Sequence, residues 1–204
     1  MNTFIIRLCG CLVALAVLAG CAGVPNAPTI RLQSIVRDAA PATPRWQSAD
    51  AEAVGLRVWR NFVTLRPTAG MLLEPGDVVQ TGPGSAASIV FDGSSGGGTV
   101  TIDESSRVRV GSLEVFFGRI FANVRGLFET TSENVVAGVE GTAYLFEVAR
   151  DRSVHVAVAE GVVACSTKDG SWAAIRLPAG QSLRSAYPNR AVPRVGPADA
   201  RELR

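Results

Sequence analysis

The stretch Thr142-Ala-Tyr-Leu-Phe-Glu-Val148, with Val154-His-Val-Ala-Val-Ala159 after it, decides the fold class of this chain. Successive side chains of a β-strand point to opposite faces, so Tyr144 and Phe146 share one face while Leu145 lies on the other. Apolar residues on both faces are typical of a strand that is covered on both sides. We therefore expect this stretch to form a central strand of a β-sheet.

Runs of the same kind extend outward from this stretch, from about residue 50 to residue 186. They are rich in Val, Ile, Phe and Thr, and Gly or Asp-Gly turns separate them at intervals of about ten residues. The predicted strands are 56–65, 78–80, 87–91, 99–103, 107–110, 114–117, 119–124, 128–131, 134–137, 142–149, 154–159, 162–166 and 173–177. A segment of this length supports one hydrophobic core. The sequence therefore predicts a single all-β domain at residues 50–186.

The beginning of the chain has the pattern of a bacterial lipoprotein signal. An apolar run at 8–19 follows a basic residue, Arg7, and ends in the motif Leu18-Ala-Gly-Cys21. That run is shorter than the roughly 20 residues of a membrane-spanning helix, which favours a cleaved leader. We predict a lipoprotein signal peptide at residues 1–20 and lipidation at Cys21, with a plain secretory leader as the alternative. Acyl chains at Cys21 would hold the protein in the cell envelope, facing the periplasm, and Ala22 favours the outer membrane.

Two flanking segments have no sustained period of either secondary structure. Residues 21–49, which contain the lipidated cysteine, are predicted to be a flexible linker because four prolines lie among alanines and small polar residues. Residues 187–204 combine proline and arginine and are predicted to be a disordered tail. Four apolar residues of the linker leave a second possibility open, a short helix or pairing with the domain: Ile30, Leu32, Ile35 and Val36.

Charge and cysteine content exclude some classes of protein. The formal net charge of the chain is +2, and no concentrated basic surface is evident, so nucleic acid is not an expected partner. Of the four cysteines, Cys9 and Cys11 would leave with the leader and Cys21 would be acylated. Cys165 would then have no disulfide partner, and its apolar neighbours predict a buried strand residue.

Residues with the chemistry of catalysis or metal binding do not form a recognisable set. His155 is the single histidine; it lies in a predicted strand without an adjacent nucleophile, and we expect it at the surface or the edge of a layer. The glycine-rich loop at 94–98 lacks the Gly-Lys-Ser/Thr ending of a phosphate loop. We therefore expect no catalytic residue, no metal, no cofactor and no nucleotide. Acidic residues at predicted turns and rims remain as candidates for a glycosidase pair: Asp103, Glu104, Glu129, Glu133 and Glu140.

Aromatic residues on the predicted strands have two interpretations. They form an exposed platform for a sugar or a protein partner, or they belong to the core. The residues in question are Trp59, Phe116, Phe117, Phe121 and Trp172.

Several blocks of the sequence together resemble the FecR domain. In the first half they are Leu73-Glu-Pro-Gly-Asp-Val-Val-Gln-Thr-Gly82, Ser85-Ala-Ala-Ser-Ile-Val-Phe-Asp-Gly93, Thr99-Val-Thr-Ile102 and Ser105-Ser-Arg-Val-Arg-Val110. In the second half they are Gly118-Arg-Ile-Phe-Ala-Asn-Val124, Val139-Glu-Gly-Thr-Ala-Tyr-Leu-Phe-Glu-Val148, Val154-His-Val-Ala-Val-Ala-Glu-Gly-Val-Val163 and Leu177-Pro-Ala-Gly-Gln-Ser-Leu183. The resemblance covers residues 50–185 and depends on the order and spacing of the blocks.

The resemblance implies an all-β periplasmic domain, solenoid-like or sandwich-like, which in its best-known members receives a signal from an outer-membrane transporter. In those regulators a cytoplasmic helical domain and a membrane span precede the FecR domain. This sequence is not expected to have either of them. We therefore expect a non-enzymatic, lipid-anchored binding or assembly module of the cell envelope, with an envelope protein or glycan as its partner. Its binding residues are not identified. The alternatives are a cell-wall glycan-acting enzyme and a sensor in an envelope signalling relay.

Overall fold

The structure, a computed structural model, describes residues 29–37, 46–47, 55–93 and 96–199. These residues form strands and turns without any helix, and so no helix among them could cross a membrane. The all-β prediction is confirmed. The signal peptide at 1–20 and the lipidation site at Cys21 lie outside the described residues.

Every strand pairing among the described residues is antiparallel, and the strands join into one continuous sheet. The strands are β1 (Thr29–Arg37), β2 (Trp46–Gln47), β3 (Arg57–Arg60), β4 (Val63–Leu65), β5 (Leu72–Leu73), β6 (Val78–Gln80), β7 (Ser85–Gly93), β8 (Gly96–Ile102), β9 (Arg107–Arg109), β10 (Glu114–Thr131), β11 (Val135–Val148), β12 (Val154–Glu160), β13 (Val162–Thr167), β14 (Ile175–Pro178), β15 (Gln181–Ser185) and β16 (Arg194–Pro197). The main path of the sheet runs β16-β15-β12-β11-β10-β8-β7-β1-β2.

The long hairpin of β10 and β11 connects the parts of the sheet. The first part of β10 pairs with β9 and its later part with β8, while β11 pairs with β13 near its start and with β12 near its end. Both strands bend at glycines with positive φ. Gly118 lies where β10 passes from β9 to β8, Gly126 where its pairing with β8 ends, and Gly141 where β11 passes from β13 to β12. Bent strands of this kind make the corners of sandwich folds. The sequence analysis divided β10 into three strands, which was wrong because these glycines bend the strand without ending it.

The inner faces of the sheet meet in one hydrophobic core. Tyr144 and Phe146 are fully buried in it, and Leu145 on the opposite face of the same strand is also buried. The prediction of a central strand covered on both faces is therefore confirmed. Tyr144 also satisfies its hydroxyl inside the core, where its Oη lies 2.6 Å from the Oγ1 of Thr130.

The predicted linker at 21–49 was wrong over β1. This strand pairs with β7 from Thr29 opposite Asp92 to Arg37 opposite Ser85, and it buries Ile30, Leu32 and Ile35. The apolar residues therefore pair with the domain, the second possibility that the sequence left open. Their alternation was obscured because the register shifts between Leu32 and Ser34. Residues 46–47 also form a strand, on the far side of β1.

The predicted disordered tail at 187–204 was also wrong within the described residues. The strand β16 pairs with β15 along the edge of the sheet. Before it, Asn189 is buried and donates from its amide to the Ser185 carbonyl oxygen at 3.0 Å, and the indole N–H of Trp172 donates to the Asn189 carbonyl oxygen at 2.8 Å. Proline is tolerated here because an edge strand leaves one side of its backbone unpaired.

Two predicted boundaries inside the domain also need correction. The predicted strand 56–65 is a hairpin of β3 and β4 with a turn at Asn61 and Phe62. Gly96–Gly98, predicted to belong to a loop, are residues of β8 that pair with both β7 and β10. Glycine is required there because a side chain at Gly98 would overlap the backbone of Val124.

Candidate functional site

A face rich in arginine and aromatic side chains lies on the outer side of β3, β6, β9 and the first part of β10. Val58, Val79, Val108 and Val115 of these strands point into the core. Alternation then places the intervening side chains on the outer face. The register sets Trp59 opposite Val78, Val78 opposite Arg109, and Arg109 opposite Glu114.

Arginine side chains lie between the aromatic rings of this face. The guanidinium carbon of Arg107 is 5.4 Å from the centroid of the Trp59 ring and 5.6 Å from that of Phe116. The guanidinium carbon of Arg109 is 4.9 Å from the Phe116 centroid, and its Nη1 lies 2.6 Å from a carboxylate oxygen of Glu114. We call Trp59, Arg107, Arg109 and Phe116 the aromatic–arginine face. Planar guanidinium groups stacked on rings combine cation–π attraction with free N–H donors at their edges.

Phe116 also borders two adjoining cavities. The larger, of about 590 Å³, is lined by Phe116, Phe117 and Arg150 among others, and the smaller, of about 290 Å³, lies on the side of Glu133. Arg152 lines both cavities. Its guanidinium lies 3.3 Å from a Glu133 carboxylate oxygen and donates to the Tyr187 hydroxyl at 3.1 Å. The face therefore continues into a groove that carries further arginine side chains.

A buried carboxylate fixes the strand that carries Trp59. Asp77 is 1% exposed and accepts two bonds from Arg60, from Nε at 2.9 Å and from Nη2 at 2.7 Å. Arg60 also donates to Glu74 at 2.6 Å, and the Glu74 N–H donates to Asp77 at 2.9 Å. Because bidentate pairs are directional, this network holds the end of β3 against the turn before β6. The carboxylate of Asp77 raises the pKa of Arg60 through these hydrogen bonds.

The structure brings together only some of the aromatic candidates. Trp59, Phe116 and Phe117 lie on or beside the aromatic–arginine face. Phe121 lies in the part of β10 that pairs with β8 and β11, and Trp172 is buried. The sequence analysis missed the arginines of the site. The alternation Arg107-Val-Arg-Val110 could have identified two of them, since it sets two guanidinium groups on the exposed face of one strand.

The acidic candidates are mostly separated. Asp103 is paired with Arg119, Glu104 accepts the Gly84 N–H, and Glu133 is paired with Arg152. Glu129 and Glu140 alone share a groove, of about 450 Å³, with Arg176. In the β10–β11 ladder Glu129 is opposite Gly138 and Glu140 is opposite Leu127, which makes the two glutamates diagonal neighbours. Both are exposed.

The prediction that His155 lies at the surface or a layer edge was wrong. It is 6% exposed because β12 lies between β11 and β15, which place Glu147 and Arg184 opposite it. Its Nδ1 lies 3.7 Å from a carboxylate oxygen of Glu147. Hydrogen bonding to His155 is the main cause that lowers the pKa of Glu147, and the charge of Arg119 acts in the same direction.

Cys165 is buried, as the sequence predicted. Burial disfavours the thiolate and raises the pKa of its thiol to about 12. Among the described residues, no group of three or more His, Cys, Asp or Glu side chains is arranged to hold a metal ion.

Comparison with known proteins gives limited likenesses. No protein-family model matches the chain, so the resemblance to the FecR domain stays a prediction. No curated protein matches it either. Two crystal structures, each described as a putative anti-sigma factor from Parabacteroides distasonis, are similar in part. One has 18% identity and a TM-score of 0.44 over 51% of this chain, and the other 17% identity and a TM-score of 0.39 over 59%. This chain covers 53% and 55% of those proteins, about half of each.

Proposed function

We propose that this protein is a non-enzymatic binding module of the bacterial cell envelope, anchored through acyl chains on Cys21 and facing the periplasm from the outer membrane. The aromatic–arginine face is its binding surface. The observation that carries the proposal is the stacking of Arg107 between Trp59 and Phe116 on an exposed sheet face. Aromatic and arginine side chains are the residues most enriched in the energetic centres of interfaces.

The chemistry of the face defines the class of ligand. Ring faces pack against the C–H faces of sugars or against apolar side chains. Guanidinium edges bind carboxylates with two parallel hydrogen bonds. A ligand that offers both features is an envelope glycan that carries acidic groups, or an envelope protein with an acidic and apolar surface. In this proposal, the groove past Phe116 toward Arg150 and Arg152 receives the rest of the ligand.

The test is binding of the mature protein to purified cell-wall glycan and, separately, to solubilised envelope proteins. The variants Trp59→Ala and Phe116→Ala should each weaken binding by about thirtyfold, since a central aromatic contact contributes on the order of 2 kcal/mol. Arg107→Lys should weaken it as well, because lysine keeps the charge but not the planar stacking group. Phe121→Ala is the matched control. Unchanged binding by both ring variants would refute the assignment of this face.

Fatty-acid labelling tests the anchor independently. Wild-type protein should incorporate label and Cys21→Ser should not. An unlabelled wild type found without an anchor would refute the location, whatever the outcome at the aromatic–arginine face.

A glycan-acting enzyme is the second candidate, and one observation favours it. Diagonal neighbours across a ladder lie about 7 to 8 Å apart, with their Cβ atoms somewhat closer. From such positions two glutamate side chains can set their carboxyl groups at the roughly 6.5 to 9.5 Å of inverting glycosidases. Glu129 and Glu140 stand in this relation in one groove. Release of reducing sugar from cell-wall glycan by wild type, with loss of release in Glu129→Gln and Glu140→Gln, would support the enzyme over the binding module.

A further inference from the structure

The hairpin of β3 and β4 presents an unusual apolar tip. Arg60 and Val63 pair across a two-residue turn, and both turn residues have positive φ, 47° at Asn61 and 68° at Phe62. Turns of this kind favour Asn followed by Gly, because a bulky side chain is disfavoured at positive φ. The chain has phenylalanine where glycine would fit, and this residue is fully exposed. Val63 is exposed beside it. We call Phe62 and Val63 the hairpin tip.

The hairpin tip lies near the beginning of the folded chain. Arg60, next to the turn, donates from Nη2 to the carbonyl oxygen of Leu72 at 3.2 Å. Leu72 is itself exposed and pairs with Arg31, two residues after the start of β1. A short series of contacts therefore connects the tip to Thr29, and the exposed side chain of Leu72 adds apolar surface at the same end of the molecule.

The distance from Thr29 to the anchor is short. Eight peptide steps separate Thr29 from Cys21, and a fully extended chain spans at most about 3.6 Å per residue, or about 29 Å in all. The start of β1 must then stay within about 29 Å of an acylated Cys21. At such a distance, the apolar end of the domain can reach the membrane surface.

The hairpin is also held in place by charge pairs. Arg60 is bound by Asp77 and Glu74, so the base of the hairpin is fixed and the guanidinium charge nearest the tip is compensated. A rigid apolar tip is suited to insertion between lipid headgroups. Because the charge of Arg60 at the base of the hairpin is already paired, this insertion does not depend on attraction to anionic lipid.

We propose that the hairpin tip, Phe62 with Val63, inserts into the lipid surface to which the protein is anchored and so orients the domain on the membrane. The proposal rests on the acylation of Cys21 put forward above. It assigns the tip a lipid ligand, separate from the partner of the aromatic–arginine face.

The experiment uses the acylated protein reconstituted in vesicles of phosphatidylethanolamine and phosphatidylglycerol. A cysteine introduced by Phe62→Cys carries an environment-sensitive fluorophore, and Val192→Cys provides the matched control. Val192 is also apolar and exposed, but it precedes β16, which ends the main path of the sheet opposite the end formed by β1 and β2. Because the native Cys165 is buried, labelling of the folded protein is specific for the introduced site.

We expect blue-shifted emission at position 62 and quenching by lipid-borne quenchers that is several-fold stronger than at position 192. Raising the salt concentration should leave this difference unchanged. Equal quenching at the two sites in protein that floats with the vesicles would overturn the proposal while leaving the anchor intact. A blue shift of the fluorophore at position 62 in native envelopes but not in vesicles would overturn the proposal in favour of a protein partner. Absence of acylation would overturn both the anchor and the insertion.

Discussion

Gly118 provides the sharpest test of how the long hairpin is built. It has φ of 92° and lies where β10 changes its partner from β9 to β8. A side chain there would overlap the Cα and Oγ of Ser106. The hydroxyl of that serine accepts the Arg119 N–H at 2.9 Å, which holds the corner closed. Gly118→Ala therefore adds an unfavourable φ, a displacement of Ser106 and the loss of a hydrogen bond.

These effects together should lower the free energy of unfolding by roughly 3 to 6 kcal/mol: about 1 to 2 for the backbone, 1 to 3 for the overlap and 1 for the hydrogen bond. Gly141→Ala is the matched control. Gly141 has φ of 60° and bends β11, but nothing lies within 4 Å of an added side chain. Only the backbone effect, about 1 to 2 kcal/mol, applies to it.

The assay is urea denaturation of the mature protein, followed by tryptophan fluorescence and circular dichroism. The midpoint should fall much further for Gly118→Ala than for Gly141→Ala, with similar slopes. If the two variants lose the same free energy within about 1 kcal/mol, close packing against Ser106 is not what fixes this corner.

Three more predictions concern Tyr144, Glu147 and Cys165. Tyr144→Phe should cost about 1 to 3 kcal/mol of unfolding free energy, because the Thr130 hydroxyl loses its buried partner, and Thr130→Val in the same chain should restore part of it in denaturation measurements. Glu147 has a lowered pKa in the folded state, so its contribution to stability is present above its ordinary pKa of 4.5 and lost as the pH falls through the folded value. Below pH 4.5, the free energy of unfolding of Glu147→Gln should decrease less than that of the wild type in denaturation measurements. An identical decrease would contradict the role of His155. The Cys165 thiol should react with a chromogenic disulfide reagent only on unfolding, since its pKa is raised to about 12; rapid reaction of the native protein would contradict its burial.

Much of the fold could be predicted because strand alternation is a local property. The runs around Tyr144, Val156 and Val108 show their buried face directly, and each is a strand in the structure. The bent strand β10 could not be predicted in the same way, since glycine ends some strands and bends others. What decides between these outcomes is the neighbouring strand, as Ser106 does at Gly118.

The place of β1 and the composition of the aromatic–arginine face depend on pairing between residues that are distant in the sequence. The alternation in β1 is interrupted by a register shift, and its role becomes evident only opposite β7. Trp59 and Phe116 could be selected by residue type, but their convergence on Arg107 follows from the register of four strands. Composition therefore identified candidate residues, while the sheet determined which of them meet.

The pairing of β1 with β7 has a consequence for folding. Thr29 is opposite Asp92, so β1, the first strand of the described part of the chain, cannot complete its ladder until the whole of β7 is available to pair with it. Until then the apolar side chains of β1 stay uncovered, and an unpaired strand of this kind is prone to aggregate.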